Sequence, residues 1–236
     1  MNNMEIKIWS DIRCPFCYIG KRKFEEALKS FEHKDRVTIS WKSFELDPNL
    51  KTQANIKALD HFCSSKGIGE EQALEMFQHA ADMGKDVGLD LKFADVVVAN
   101  SLNGHRLIKY AEGKNKAPEM KEVLLQAHFT DGKNIDDVEV LANLGAEVGL
   151  DRKAVHSMLL SDDYTYEVRQ DQLEARNLGI NGVPFFVLDN TYGISGAQPT
   201  EVFLESLEKA WEKSTDAKEK TDVAEGDSCN VDGECR

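Results

Sequence analysis

What most restricts the fold of this chain is a change of repeat on either side of Cys14-Pro15. Residues 5–11, EIKIWSD, alternate polar and apolar side chains, the two-residue period of a half-buried strand. Beyond Pro15 the apolar positions Phe24, Leu28 and Phe31 fall at spacings of four and three, which is a helical period. Residues 37–46, VTISWKSFEL, are β-branched and aromatic and predict a second strand. A strand, a helix and a strand in this order close by right-handed crossover, which sets the two strands parallel in one sheet.

The next stretch of more than a hundred residues reads as helix. ALDHFCSSKG, EEQALEMFQHAADMGKDVG, SLNGHRLIKYAEGK, EMKEVLLQAHFTDG and DVEVLANLGAEVG carry apolar stripes and are parted by glycine-containing breaks. One further helix is expected over 152–178. Strand signals return in PFFVL (184–188) and TYGIS (191–195), joined at Asp189-Asn190 by a tight turn. The helix TEVFLESLEKAWEK follows. The expected division is a strand–helix–strand first half over 1–50, a helical block over 51–160 and a helix–hairpin–helix second half over 161–213. Residues 214–236 hold seven acids, three bases and almost no large apolar side chain, the composition of a mobile tail.

Charge removes several classes of function. A net charge of −13 repels nucleic-acid phosphates. No apolar run approaches the roughly 20 residues needed to span a bilayer, so no membrane partner is expected. MNNMEIKIWSD lacks the basic and then apolar regions of a secretory signal, and a cytoplasmic protein is the simplest expectation. In a reducing compartment a close cysteine pair is more often catalytic, redox-sensing or metal-binding than a structural staple.

That pair is Cys14 and Cys17 in DIRCPFCYIG. Cys14 stands where strand passes to helix, and Pro15 suits the first helical position. A thiolate there faces unpaired N–H groups and the positive end of the helix dipole, which favour it. Cys17, nearly one turn on, has its sulfur within reach of Cys14. A zinc site requires four ligands; the only other pair, Cys229 and Cys235, is poorly spaced for one. A disulfide closing so short a loop constrains the unfolded chain little. Cys63, far from the others in sequence, reads as a small, partly buried apolar residue.

Three stretches together, SDIRCPFCYIGKRKF, NSLNGHRLI and GVPFFVLDNTYGISGAQ, resemble the DsbA family of thioredoxin-fold oxidoreductases. Within it they are most similar to the FrnE-like branch, related to 2-hydroxychromene-2-carboxylate isomerases and kappa-class glutathione transferases. The resemblance covers about residues 4–213. It implies an α/β thioredoxin fold with an inserted all-helical subdomain, and a cis peptide at Val183-Pro184 packed against Cys14. It implies that Cys14 is the nucleophile and Cys17 the resolving thiol. Pro15, Phe16, Val183 and Pro184 would meet the substrate, with Asn100, His105 and Gln198 placed near the groove. Glu45 would relay a proton from beneath the pair.

Substrates would be protein or small-molecule thiols and disulfides, with glutathione or another low-molecular-weight thiol as co-substrate and with no metal or prosthetic group. A homodimer is compatible with the resemblance. The isomerase and transferase relatives commonly have serine at the Cys14 position, so a glutathione-dependent isomerase or transferase is the alternative. A non-enzymatic holdase or zinc module is the other. Short cysteine-bearing tails occur in FrnE-like relatives, which makes Cys229 and Cys235 a candidate second redox pair. A flexible arm of about 20 residues spans roughly 25 Å, enough to bring such a pair to the active site.

Overall fold

The computed structural model describes residues 3–219. In chain order its elements are β1 (Met4–Ser10), α1 (Pro15–Ser30), β2 (Val37–Ser43), β3 (Gln53–Lys57), α2 (Ala58–Lys66), α3 (Glu70–Lys85) and β4 (Val97–Val98). There follow α4 (Leu102–Glu112), α5 (Ala117–Phe129), α6 (Val138–Glu147), α7 (Arg152–Leu159), α8 (Thr165–Asn177), β5 (Phe185–Leu188), β6 (Tyr192–Ser195) and α9 (Thr200–Glu219). The main sheet runs β2-β1-β5-β6. β1 and β2 are parallel from Met4 opposite Val37 to Ser10 opposite Ser43. β5 lies antiparallel to β1, and β6 antiparallel to β5. This is the thioredoxin arrangement with a helical insertion between β2 and β5.

The hairpin turns where the sequence places it. Asp189 (φ 48°) and Asn190 (φ 53°) are both left-handed, the pair of conformations that a two-residue turn between twisted strands demands. Phe24 of α1, Phe186 of β5 and Phe203 of α9 meet with ring centroids 4.7–5.9 Å apart, packing the two helices side by side on one face of the sheet. Each such buried ring contributes on the order of 1.5–3 kcal/mol. The same apolar cluster continues into Leu107 of α4 and Met120 and Leu124 of α5, so sheet and helical block share one core.

Four expectations change. The helical block carries a two-stranded ribbon of β3 and β4, which its sequence does not announce. The helix expected over 152–178 is two, parted by a loop with Tyr164 at φ 65°. Buried Arg106 holds that loop, donating to the carbonyls of Met158 (2.8 Å), Leu159 (3.3 Å), Ser161 and Asp163 (2.8 Å). α9 continues past 213 to Glu219. β2 stops at Ser43, leaving Glu45 outside the strand. Cys229 and Cys235 lie outside the described residues.

Candidate active site at the Cys14–Cys17 dithiol

Cys14 is the N-cap of α1, with extended backbone (φ −99°, ψ 113°) and Pro15 starting the helix. The Cys17 amide donates to the Cys14 carbonyl at 3.0 Å, which folds the second cysteine back under the first. Both are free thiols and buried. The Val183–Pro184 peptide is cis. Cys14 Sγ donates to the Val183 carbonyl across 3.4 Å, so the two motifs, 169 residues apart, face each other. Gly20, on α1 just past Cys17, allows this approach: a Cβ on it would stand 3.0 Å from Pro184 Cγ.

Beneath the pair lies a charged floor. Asp11 is fully buried. Its Oδ1 accepts from the Arg13 amide (3.2 Å) and lies 3.4 Å from His105 Nε2, while Oδ2 accepts from the Leu46 amide (2.8 Å). Burial alone would raise the Asp11 pKa; His105, the Leu46 amide and the Arg13 charge outweigh it and hold the carboxyl well below the usual range. Lys121 of α5 is buried at 1% exposure, with Nζ 3.5 Å from the Ser10 carbonyl and 5.9 Å from the Trp41 ring centroid. Burial pulls its pKa down to about 8, against the upward pull of the Cys17, Asp11 and Cys14 charges.

The two thiols titrate as a unit. Sharing a hydrogen bond with Cys17, together with burial, pushes Cys14 up. Burial also opposes ionisation of Cys17, but the Cys14 thiol, the Lys121 ammonium, the Ser10 hydroxyl and the Asp11 backbone together bring it down. The hydrogen bond from Cys14 and, after it, the charge of buried Lys121 both favour the ionised form of Cys17.

Cys14, not Cys17, faces a cavity of about 570 Å³. Phe16 beside it, Phe62 and Phe77 from α2 and α3, and Phe93 and Phe129 form much of its wall. Pro15 lines it too, and Phe16 is partly exposed at its mouth. Of the residues singled out by sequence, Cys14, Cys17, Pro15, Phe16, Val183, Pro184 and His105 converge here. Asn100 does not face the cavity: its Nδ2 donates to the Leu50 carbonyl (2.8 Å) and its Oδ1 accepts from the Leu102 amide (2.7 Å) at the start of α4. Gln198 is exposed and donates to the Ser195 carbonyl. Glu45 is engaged by Arg169 and Gln172, and the carboxylate whose charge reaches Cys14 is that of Asp11. Cys63 is a half-buried free thiol on α2 that does not line the cavity.

Asp11 and Lys121 are the functional candidates that sequence reading passes over. Asp11 stands three residues before Cys14 in DIRC, a signal that was available. Lys121 lies between Glu119 and Glu122 in an ordinary helical stretch, and only tertiary packing buries it. Among the described residues no three or more His, Cys, Asp or Glu converge as a metal-ligand set, and no helix is long and apolar enough to cross a membrane.

Residues 5–208 match the family model of the DSBA-like thioredoxin domain. The chain belongs to the DsbA-like thioredoxin family. This DsbA-like chain is 30% identical over 207 residues to the uncharacterized protein YwbO of Bacillus subtilis, covering 86% of its own length and 96% of YwbO. A probable DsbA oxidoreductase from Streptomyces coelicolor is 36% identical in sequence, with a TM-score of 0.85 and 99% of each chain covered. The cytosolic disulfide reductase DsbM from Pseudomonas aeruginosa shares the fold at 15% identity, with a TM-score of 0.60 over 91% of this chain and 98% of DsbM. DsbM is also known in a structure with GSH. The DsbA-like assignment supports a redox enzyme in general.

Proposed function

We propose that this chain is a thiol–disulfide oxidoreductase that works through Cys14 and Cys17. The observation that carries the reading is the placement of Cys14. It caps α1, lies 3.4 Å from the Val183 carbonyl, opens on the cavity and has Cys17 one turn beneath. In the reducing direction the proton shared by the pair moves to Cys17, and the Cys14 thiolate attacks a substrate disulfide. One substrate thiolate leaves and a Cys14 mixed disulfide forms. Cys17, whose ionised form Lys121 favours, gives its proton to the departed thiolate or to solvent, attacks the Cys14 sulfur and releases the second thiolate. The dithiol loses two electrons and the substrate disulfide gains them. The oxidising direction is the reverse.

Protein thiols and low-molecular-weight thiols such as glutathione are the proposed partners, in a reducing compartment. The cis-proline loop would offer the Val183 and Pro184 backbone to an extended segment by strand addition, and no resident cofactor is required. Insulin disulfide reduction tests the reading. Cys14→Ser is expected to fall to the uncatalysed rate, and Cys17→Ser to accumulate mixed disulfide. Full activity in Cys14→Ser overturns the proposal. Glutathione-dependent isomerase or transferase activity that survives Cys17→Ala would replace it.

A further inference from the structure

Two residues that line the cavity beside Cys14 each bury a polar atom that has no partner. Arg13 Nη1 and His128 Nδ1 are both buried without a hydrogen bond, and both residues line that cavity. His128 is 3% exposed. Asp11 lies near enough to feel the Arg13 charge, yet its oxygens are held by the Arg13 amide, the Leu46 amide and His105 rather than by the guanidinium. Buried donors left unpaired are unfavourable and rare, and two on one wall mark a place for an acceptor that the chain itself does not supply.

Much of the rest of the wall is aromatic. Phe62 and Phe77 lie 5.0 Å apart, Phe77 stacks on Phe93 at 4.6 Å, and Phe93 meets Phe129 at 6.0 Å. A volume of about 570 Å³ suits a small molecule rather than a folded domain. A guanidinium recognises a carboxylate through paired N–H donors, and phenylalanine faces accept an aromatic ring.

We propose that this cavity is a subsite for a small aromatic disulfide or thiol bearing a carboxylate, which Arg13 and His128 receive while the phenylalanines hold the ring. The subsite rests on the dithiol reading above and names its small-molecule substrate class. His128 adds no charge at neutral pH, because burial, reinforced by the Arg13 charge, pulls its pKa down to about 4; with Nδ1 protonated it is a neutral donor. The reduced enzyme's Cys14 thiolate attacks the ligand disulfide, whose S–S bond breaks and releases one aryl thiolate. Cys17 then displaces the second aryl thiolate from Cys14. Two electrons pass from the dithiol to the ligand, and the dithiol's protons go to the released thiolates or to solvent.

The test compares two aromatic disulfides on the reduced full-length chain by stopped flow: dithiobis(nitrobenzoate), which carries carboxylates, and dithiodipyridine, which carries none. The ratio of their rate constants cancels any change common to both, such as a change in Cys14 ionisation. Arg13→Gln is expected to lower the carboxylate-to-uncharged ratio about tenfold, the scale of one lost charge-assisted hydrogen bond, and Arg13→Lys to restore part of it. A ratio unchanged in Arg13→Gln overturns the subsite. If Arg13→Gln proves misfolded by circular dichroism, the wild type decides. Naphthoate, but not naphthalene methanol, is expected to protect Cys14 from alkylation by iodoacetamide, and equal protection overturns the subsite. If the wild type reacts with neither disulfide, it is the dithiol reading that fails.

Discussion

Two buried lysines approach Trp41, and the chain treats them in opposite ways. Lys109 of α4 donates to the Trp41 carbonyl (3.2 Å) and is ion-paired with Asp171 at 2.7 Å; Asp171 in turn accepts from the Ser43 amide (2.8 Å) and pairs with Lys42 (3.2 Å). Lys121 of α5 lies over the Trp41 ring instead, and among the described residues no carboxylate is ion-paired with it. The first lysine is fully answered and fastens α4 to α8 and the sheet. The second has only the unpaired pull of Asp11 as a standing opposite charge, and it gains another in the Cys17 thiolate, which exists only in the reduced enzyme. One is structure, and the other is charge held ready for the redox pair. His128, seven residues along α5, repeats the pattern with its unpaired Nδ1.

Breaking the answered pair has the largest expected cost. Lys109→Met leaves Asp171 short of a buried counter-charge and is expected to destabilise the fold by about 3–5 kcal/mol in urea unfolding, with little change in the redox equilibrium of the dithiol. Acid probes the unanswered histidine. An unfolded chain's histidine protonates as the pH falls through 6.5, whereas buried His128 does so only near 4. The unfolded state binds the extra proton in that window, so stability present above pH 6.5 is lost on acidification. The loss is on the order of 3 kcal/mol by linkage, and it is expected to be missing in His128→Phe when the two unfolding–pH curves are compared.

Lys121→Met sharpens the contrast by having the opposite sign. In the disulfide form the lysine's charge is buried with only Asp11 to pull on it, a cost relieved as the folded group loses its proton. Its removal is expected to stabilise the oxidised protein by about 1–3 kcal/mol. The same change deprives the Cys17 thiolate of its counter-charge. The equilibrium against a glutathione buffer is then expected to move about tenfold toward the disulfide form, read by thiol alkylation. A Lys121→Met protein less stable when oxidised, or with an unmoved equilibrium, would make Lys121 an ordinary packing residue like its neighbour.

How far the sequence could be read follows from the range of the forces involved. The βαβ opening, the cysteine pair and the Asp189-Asn190 turn rest on local periodicity and on backbone preferences, and each is where the pattern places it. The split between α7 and α8 has a local signal in SDDY, but what holds the break is Arg106, more than fifty residues earlier. Strand character in the sequence runs to Leu46, and the family resemblance places Glu45 beneath the cysteines. Yet β2 ends at Ser43, and the carboxylate turns to Arg169 and Gln172 on α8. Lys121 was invisible for a plainer reason. A lysine between glutamates on an amphipathic helix looks solvated until another element covers it, and coverage is not written in the helix itself.

Gly20 brings a different kind of constraint. A single methyl group there would stand 3.0 Å from Pro184 Cγ and 3.5 Å from the Ala197 backbone. Nothing about Gly20 is reactive, and it touches neither sulfur. It acts as a gauge: the absence of that methyl fixes how closely the helix bearing both thiols can lie against the loop bearing Val183. The 3.4 Å contact between the Cys14 sulfur and the Val183 carbonyl thereby depends on an atom that is not there.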